Sequence, residues 1–334
     1  MFESTAVRTS RRFWLRGVAG GLAVLLAGGA LAQDYPARPI RIVSPFATGT
    51  AGDLLGRVTA QKLAQHLGSS VVLENRPGAS GTTGARHVVE AAPDGYTLLL
   101  GGGPLVLNQT LDPSIPFKVE RDLLPVAAVA RTKIIMVTRN RPDAPATLPE
   151  LLSLLRERGE SVNYASVGPV TMGRLTTATV LGNAGVKATH VPYKGSSESL
   201  VALMRGDVLF ASDAVSAVLA QIKAGNLRPL AVASQERLST LPEVPTFAEA
   251  GVPGVDINVW YGMFLPARSP QAVASRLASA LGAVVADPEY KAQLAALQFE
   301  TFHPQGREFE GFIRRELDSW TRFFRTSGIQ LEKQ

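Results

Sequence analysis

A loop of small residues joins a predicted strand to a predicted helix early in the chain. Residues 41–53 read RIVSPFATGTAGD, and Gly49 and Gly52 let backbone N–H groups approach a ligand with no Cβ in the way. The helix that follows adds the positive end of its dipole. Because such a loop holds an anion without a cationic side chain, the segment predicts an anion site. Asp53 either caps the helix or touches the ligand, and the sequence leaves both interpretations open.

Four other predicted strand ends carry residues of the same kind. In an open parallel sheet, ligands bind beyond the carboxyl ends of the strands. Like the loop above, these strand ends consist mainly of small residues, polar residues or glycine. The five segments lie at residues 44–52, 101–104, 165–171, 192–196 and 212–216. The five loops are therefore the candidate ligand-binding segments.

Strands and helices alternate along the chain, which predicts parallel α/β sheets. The first set has helices near 53–67 and 82–91, a Pro-rich stretch after its third strand, and strands near residues 39–43, 71–75 and 96–101. A second set of elements has five predicted strands, near residues 133–137, 162–165, 189–193, 208–212 and 227–234. Because it has its own strands, we expect it to form a separate sheet.

The C-terminal part is expected to return to the first set. One strand near residues 259–265 precedes helices only, and a single strand cannot form a separate sheet. We therefore predict two α/β lobes, with the chain crossing between them near residues 131 and 257. Lobe 1 comprises residues 33–130 and 258–334, and lobe 2 comprises residues 131–257.

The first 32 residues have the pattern of a signal peptide. A head with four arginines precedes GVAGGLAVLLAGGALA, whose 16 residues are fewer than the roughly 20 that a spanning helix needs. Cleavage is expected between Ala32 and Gln33, and the mature protein is expected in the periplasm. Residues 10–16 resemble a twin-arginine export motif, while the general secretory route and a retained anchor stay open.

Composition excludes several classes of function. The 334 residues, 46% hydrophobic and 19% charged, suit two globular domains. Loss of the four arginines and one glutamate of the signal lowers the net charge from +6 to +3, and no basic run remains for nucleic-acid phosphates. There are no cysteines for thiol catalysis, and the 4 histidines lack metal-site spacing. We predict no catalytic residue, metal or cofactor.

Two motifs of enzymes are only weakly matched. Ser166 could belong to a nucleophile elbow, but a tyrosine stands where that elbow has its first glycine. Gly78, Gly81 and Gly84 follow a predicted strand without the dinucleotide-binding spacing.

Motifs spread over the whole mature chain resemble one family. PARPIRIVSPFATGTAGD, ENRPGASG and AAPDGYTLLLG come first, followed by NYAS, HVPYKG, IKAGNLRPLAV, LPEVPTFAEAG and WYGMFLPA. The order and content are similar to the Bug family of extracytoplasmic solute receptors, the substrate-binding proteins of tripartite tricarboxylate transporters. The resemblance implies a clamshell of the type II periplasmic binding protein fold, with two α/β lobes and a hinge of two crossing segments. It also implies a small organic carboxylate as ligand, held by main-chain groups and ordered waters.

The resemblance and the strand-end argument together give the candidate site. Its ligand-binding residues are expected to be Pro45, Phe46, Thr48, Gly49, Thr50, Asp53, Gly102, Gly103, Ser166, Val167, Gly168, Thr171, Arg174, Tyr193 and Asp213. Thr50 replaces the second glycine of the family loop, and Val167 replaces a small hydroxyl residue. Arg174 either grips a second carboxylate or lies on a solvated helix face, and Tyr193 lines the cleft or packs in a core.

Three functions are compatible with these residues. A receptor would pass a carboxylate unchanged to membrane subunits of a tripartite tricarboxylate transporter, and it would act as a monomer. An orphan sensor would present the closed form to a membrane signalling partner. A periplasmic hydrolase would convert the ligand, and product formation separates it from the other two.

Overall fold

A computed structural model describes residues 35–168 and 170–327. The predicted signal peptide, residues 1–32, lies outside the described residues. The elements below belong to one compact unit that begins at Arg38. Within the described ranges, every helix is too short or too polar to cross a membrane.

The strands and helices alternate as far as the middle of the chain. The strands are β1 (Ile40–Ser44), β2 (Val71–Asn75), β3 (Thr97–Gly102), β4 (Leu123–Arg139), β5 (Asn163–Ser166), β6 (Thr189–Pro192), β7 (Phe210–Ala214), β8 (Leu227–Val232), β9 (Asn258–Pro266) and β10 (Glu300–Thr301). The helices are α1 (Ala51–Leu67), α2 (Thr82–Val89), α3 (Gly103–Leu111), α4 (Val119–Asp122), α5 (Leu148–Arg158), α6 (Met172–Ala184), α7 (Ser196–Arg205), α8 (Val215–Lys223), α9 (Gln271–Ala286), α10 (Pro288–Ala296) and α11 (Gly306–Ser327).

The strands form one continuous mixed sheet. Its order is β2-β1-β3-β9-β4-β7-β5-β6, with β8 and β10 paired to β4 off this path. β1 runs parallel to β2 and β3, and β5 runs parallel to β6 and β7. β9 and β4 run antiparallel to their neighbours. The prediction of parallel sheets is therefore right for the outer strands and wrong for the central ones.

β4 links the two parts of the sheet. Its residues 123–133 pair with β9, whereas residues 134–139 pair with β7 and β8. The second set of strands thus has no separate sheet, because one 17-residue strand serves both parts. The chain returns through residues 233–257 to β9. We call β1–β3, β9, β10 and the start of β4 the first sheet region, and β5–β8 with the end of β4 the second sheet region.

The structure assigns one stretch that the sequence left open and corrects one expectation about the C-terminal segment. α3 and α4 occupy the Pro-rich stretch after β3. Pro104 lies in the first turn of α3, where its missing N–H would have no helical acceptor, so the residue favours the helix rather than breaking it. The short strand β10, paired with β4, also interrupts the C-terminal segment that was expected to hold helices only.

Each sheet region has an apolar core of its own. Val43, Leu99 and Phe264 are fully buried in the first, and Ile135 and Val215 in the second. Because such cores are close-packed, the loops at the ends of these strands are held in fixed positions.

Candidate functional site

The loop after β1 folds back on itself before α1 begins. Gly49 has a φ of 81°, a conformation that glycine adopts without strain. The amide and the hydroxyl of Thr50 both donate to the carbonyl of Ala47, at 3.2 and 2.7 Å. Thr50 is the N-cap of α1. The Thr50 hydroxyl therefore closes this turn.

The buried side chain of Asp53 stabilises the loop by hydrogen bonds. Its carboxylate accepts hydrogen bonds from the amide of Gly49 at 3.0 Å and from Asn75 at 2.9 Å, and it pairs with Arg57 at 2.9 Å. Burial by itself raises the pKa of Asp53, but these hydrogen bonds outweigh it, so the pKa lies below its ordinary value. Asp53 is 2% exposed and stands in the first turn of α1, so the N-cap interpretation is wrong.

A cavity of about 460 Å³ opens beside this loop, and we call it the outer cavity. One wall comes from the first sheet region, through residues 45–47, 50, 77–81, 102 and 104–105. The other wall comes from the second sheet region, through residues 167–168, 170–171 and 193–194. The cavity thus lies between the strand ends of the two regions, as an interlobe cleft requires.

A smaller cavity of about 90 Å³, which we call the inner chamber, shares part of this lining. Phe46, Thr50, Pro104, Val167 and Thr171 line both cavities. The chamber also has polar side chains that the outer cavity lacks, from Ser196, Ser212, Asp213 and Tyr261, and apolar ones from Ile134, Met172 and Val259.

Helix N-termini surround the inner chamber. Its lining includes the first residues of α1 and α6, Ser196 at the start of α7, and Ala214 just before α8. The first N–H groups of a helix have no acceptor within that helix and carry its positive dipole end. For Ala51 and Gly52 of α1, no other acceptor is present in the described part of the chain. Such an arrangement of donors has the chemistry to hold an anion.

One acidic side chain also faces the chamber. The Oδ1 of Asp213 accepts from the amide of Ala214 at 2.7 Å, whereas its buried Oδ2 has no hydrogen-bond partner among the described residues. Burial raises the pKa of Asp213, and the nearby Ser196 hydroxyl and the Ala214 amide offset only part of that effect. Burial, with a smaller contribution from Asp213, likewise raises the pKa of Tyr261 far above its ordinary value. The environment therefore favours neutral forms that donate hydrogen bonds.

The two walls meet closely beside the chamber. A Cβ on Gly49 would lie 3.0 Å from the Oγ of Ser197, and one on Gly195 would lie 3.5 Å from the Cβ of Ala47. A Cβ on Gly103 would lie 3.5 Å from the sulfur of Met172. Small residues thus let the walls approach.

Nine of the predicted site residues line a cavity. They are Pro45, Phe46, Thr50, Gly102, Val167, Gly168, Thr171, Tyr193 and Asp213. Of the rest, Thr48 is exposed, Gly103 faces Met172, and Gly49 and Asp53 support the loop.

Ser166 and Arg174 lie behind the lining. The hydroxyl of Ser166 donates to the carbonyl of Gly168 at 2.7 Å and is 2.7 Å from His190 Nε2, so it shapes the following loop. The guanidinium of Arg174 lies 5.4 Å from the ring centroid of Tyr164, and neither cavity includes it. It is half-buried, so it is not on a solvated face either.

Several lining residues were missed from the sequence. Residues 77–81 follow β2 and belong to RPGASG, a glycine-rich strand end that the strand-end argument left out. Leu105 and Val170 are ordinary apolar residues, so their types do not indicate that they line a ligand cavity. Trp260 does not line either cavity, since it is 1% exposed in the core and donates from Nε1 to Glu316 at 2.9 Å. No cluster of metal ligands occurs within the described ranges.

The family model of the tripartite tricarboxylate transporter family receptor matches residues 55–329. Protein BugT of Bordetella pertussis is 32% identical over 309 residues, which are 92% of this chain and 94% of that protein. A protein from the tcbD-tcbE intergenic region of Pseudomonas sp. strain P51 is 32% identical over 316 residues, covering 93% of this chain and 92% of its own.

Solved structures show the same fold. The periplasmic binding protein BugD has a TM-score of 0.84 at 28% identity, covering 89% of this chain and 99% of its own. A protein of R. palustris with adipate has a TM-score of 0.84 at 29% identity, over 88% and 99% of the two chains. MatC of Rhodopseudomonas palustris with bound malate has a TM-score of 0.81 at 27% identity, over 86% and 99%.

These matches confirm the resemblance to Bug proteins and the clamshell fold of periplasmic binding proteins. The chain belongs to the tripartite tricarboxylate transporter receptor family, whose members are periplasmic solute-binding proteins and not enzymes.

Proposed function

We propose that this protein is a receptor that binds a small organic carboxylate between its sheet regions and delivers it to a tripartite tricarboxylate-type transporter. The observation that carries the proposal is the inner chamber, where helix N-termini converge. None of the described residues that line it has a cationic side chain, so main-chain donors must hold the anion. Adipate and malate, bound by two structural relatives, are both carboxylates.

The amides at the start of α1 are the donors that fit this role best. Gly49 and Thr50 already use their amides within the loop, on Asp53 and Ala47. Ala51 and Gly52, next in sequence, line the chamber and have no acceptor within the described residues. Ligand carboxylate oxygens would accept from these two amides. The hydroxyls of Thr171 and Ser196, and ordered waters, would complete the shell.

The neutral form of Asp213 would donate a hydrogen bond to a ligand oxygen from its Oδ2. Its ionised form would instead repel the carboxylate, because two like charges in a small enclosed space raise each other's pKa. Burial favours the neutral form. Asp213 therefore makes binding sensitive to pH.

Ligand binding would close two lobes about β4 and β9. We assign residues 33–130 and 258–334 to lobe 1 and residues 131–257 to lobe 2. The change of pairing partner within β4, between Lys133 and Ile134, lies close to the proposed first boundary. The second boundary coincides with the start of β9.

The cellular context completes the proposal. The chain would be exported through its N-terminal segment by the twin-arginine or the general secretory route and cleaved between Ala32 and Gln33. In the periplasm it would act as a monomer and meet the membrane subunits of the transporter.

Calorimetry with the purified mature protein tests the binding role. A panel of small carboxylates is titrated beside the corresponding neutral amides, and mass spectrometry follows the ligand before and after incubation. We expect carboxylates to bind, amides to bind at least tenfold more weakly, and every ligand to be recovered unchanged. Equal binding of acid and amide, or conversion of the ligand, would contradict the proposal.

A further inference from the structure

We infer that the ligand of this receptor is a monocarboxylate with an apolar body, of the size of a phenylalkyl or medium alkyl group. The inference rests on the proposed function, because it takes the inner chamber as the place of the carboxylate. It adds the assignment of the outer cavity, which would hold the rest of the molecule.

The outer cavity is walled mainly by rings and aliphatic groups. They come from both sheet regions and include Phe46, Pro77, Pro104, Leu105, Val167 and Val170. Leu105 and Val170 are 6% and 2% exposed, so the surrounding core fixes their positions. A volume of about 460 Å³ is within the range of pockets that enclose small organic ligands. Each CH₂ buried there would raise the affinity about fourfold.

Some of the main-chain donors beside the outer cavity are already used. The amide of Gly81 donates to the carbonyl of Gly78 at 2.9 Å, and the amide of Thr82 donates to Ala79. The amide of Thr83 also points to Gly78, at 3.5 Å. The hydroxyl of Ser80, which also lines the cavity, has no hydrogen-bond partner among the described residues, so this wall offers a neutral donor to a ligand oxygen but no cation for a second carboxylate.

Cationic groups are nearly absent from the same lining. Lys194 is the one charged side chain among the described residues of the outer cavity, and it is exposed to solvent. An ion pair at such a position contributes little to affinity, because solvent screens it. Arg174, the other cation considered for this role, lies behind the lining over Tyr164. A second carboxylate would thus lose its hydration among apolar walls with no strong partner.

Hexanoate and adipate provide a matched pair of probes, since they differ only by the second carboxylate. Calorimetry on the mature protein is expected to give affinities for hexanoate and 3-phenylpropanoate at least tenfold higher than for adipate. Adipate binding as tightly as hexanoate would overturn the inference and leave the proposed function standing. Failure of both monocarboxylates to bind would also overturn it. Hexanamide binding as tightly as hexanoate would instead overturn the proposed function.

Substitutions at Val167 test the assignment of the outer cavity directly. Val167 is half-buried where the two cavities adjoin, so Val167→Lys would bring a cation to the outer cavity, and the ratio between two ligands that share the first carboxylate cancels its effect on the chamber. We expect it to raise the adipate-to-hexanoate affinity ratio at least tenfold, whereas Val167→Met, long but uncharged, leaves the ratio within threefold. An unchanged ratio in a folded Val167→Lys protein would contradict the assignment.

Lys194→Met gives an independent check that does not depend on a buried substitution. We expect the affinity ratio between hexanoate and adipate to stay within threefold of the unsubstituted protein. A tenfold loss confined to adipate would make Lys194 the partner of a second carboxylate and overturn the inference.

Discussion

The inner chamber and the outer cavity adjoin each other and share five lining residues, yet their polar groups differ. Besides apolar side chains such as Ile134 and Val259, the chamber has helix N-termini, hydroxyls and the carboxyl of Asp213. The outer cavity is lined mainly by prolines and aliphatic side chains, with the hydroxyl of Ser80 and the exposed Lys194 as polar groups. In the proposed function, the chamber would recognise the charge that any ligand of this class carries, while the outer cavity would select the body of the molecule.

The largest effect is expected from Gly49→Val, which removes the support of the chamber. A β-branched residue is strained at a φ of 81°, and its Cβ would press on Ser197 at 3.0 Å. The loop would release Asp53 and misplace the first amides of α1, so we expect at least a hundredfold loss of affinity for a carboxylate in calorimetry.

Gly68→Val is the matched control for that substitution. Gly68 has a φ of 64° and nothing within 4 Å of its Cβ position, so the backbone strain is similar but far from the cavities. It should lower the melting temperature and leave affinity within threefold. Similar losses of affinity in both variants would show that Gly49 acts only through stability.

Asp213→Asn removes the acidic group from the chamber. The pKa of Asp213 is raised in the folded protein, so its ionisation destabilises the fold as pH rises above the ordinary value of 3.8 and has no effect below it. The asparagine variant should therefore melt at a higher temperature than the parent at pH 8, with the difference vanishing towards pH 3.5.

The same substitution should change the pH dependence of binding. Affinity of the parent for a carboxylate should fall as Asp213 ionises, and affinity of the variant should stay flat over that range. Parallel pH profiles of the two proteins would show that Asp213 does not face the bound ligand.

Thr171→Ala distinguishes two roles of the Thr171 side chain, which lines the cavities and also caps α6. Thr171 caps α6 by accepting from the amide of Arg174 at 3.3 Å, and Thr147 caps α5 by accepting from Glu150 at the same distance. Each alanine variant should lose about 0.5–2 kcal/mol of unfolding free energy in urea. Only Thr171→Ala should also weaken binding, by roughly three- to tenfold, the equivalent of about 0.7–1.4 kcal/mol. Equal affinities in both variants would remove the Thr171 hydroxyl from the site.

The smallest effect is expected from Arg174→Ala. Because its guanidinium stacks behind the lining, it should change the affinities for hexanoate and adipate by less than threefold and leave their ratio unchanged. A selective loss for adipate would restore the interpretation that Arg174 grips a second carboxylate, and it would weaken the contrast between the two cavities.

The sequence predicts the chamber better than the outer cavity, for a physical reason. Strand ends and helix starts are encoded locally, by β-branched runs followed by glycine, so the loops around Thr50, Thr171 and Asp213 could be found. Leu105 and Val170 reach the outer cavity only because α3 and the loop after β5 pack where they do, and local patterns do not encode that.

The roles of single polar residues were the least predictable. Asp53 fits an N-cap or a ligand contact by type, and only the placement of Asn75 and Arg57 around it shows that it supports the loop. The mixed sheet was missed for a similar reason. The sequence of β4 predicts only a short strand, and its pairing with β9 and β7 depends on residues far away in the chain.

A crystal structure of the mature protein with 3-phenylpropanoate tests the central claim most directly. We predict that the carboxylate lies in the inner chamber, with its oxygens about 2.7–3.2 Å from the amides of Ala51 and Gly52 and the ring among Leu105, Val167 and Val170. A carboxylate beside Lys194, with the ring in the chamber, would contradict the account.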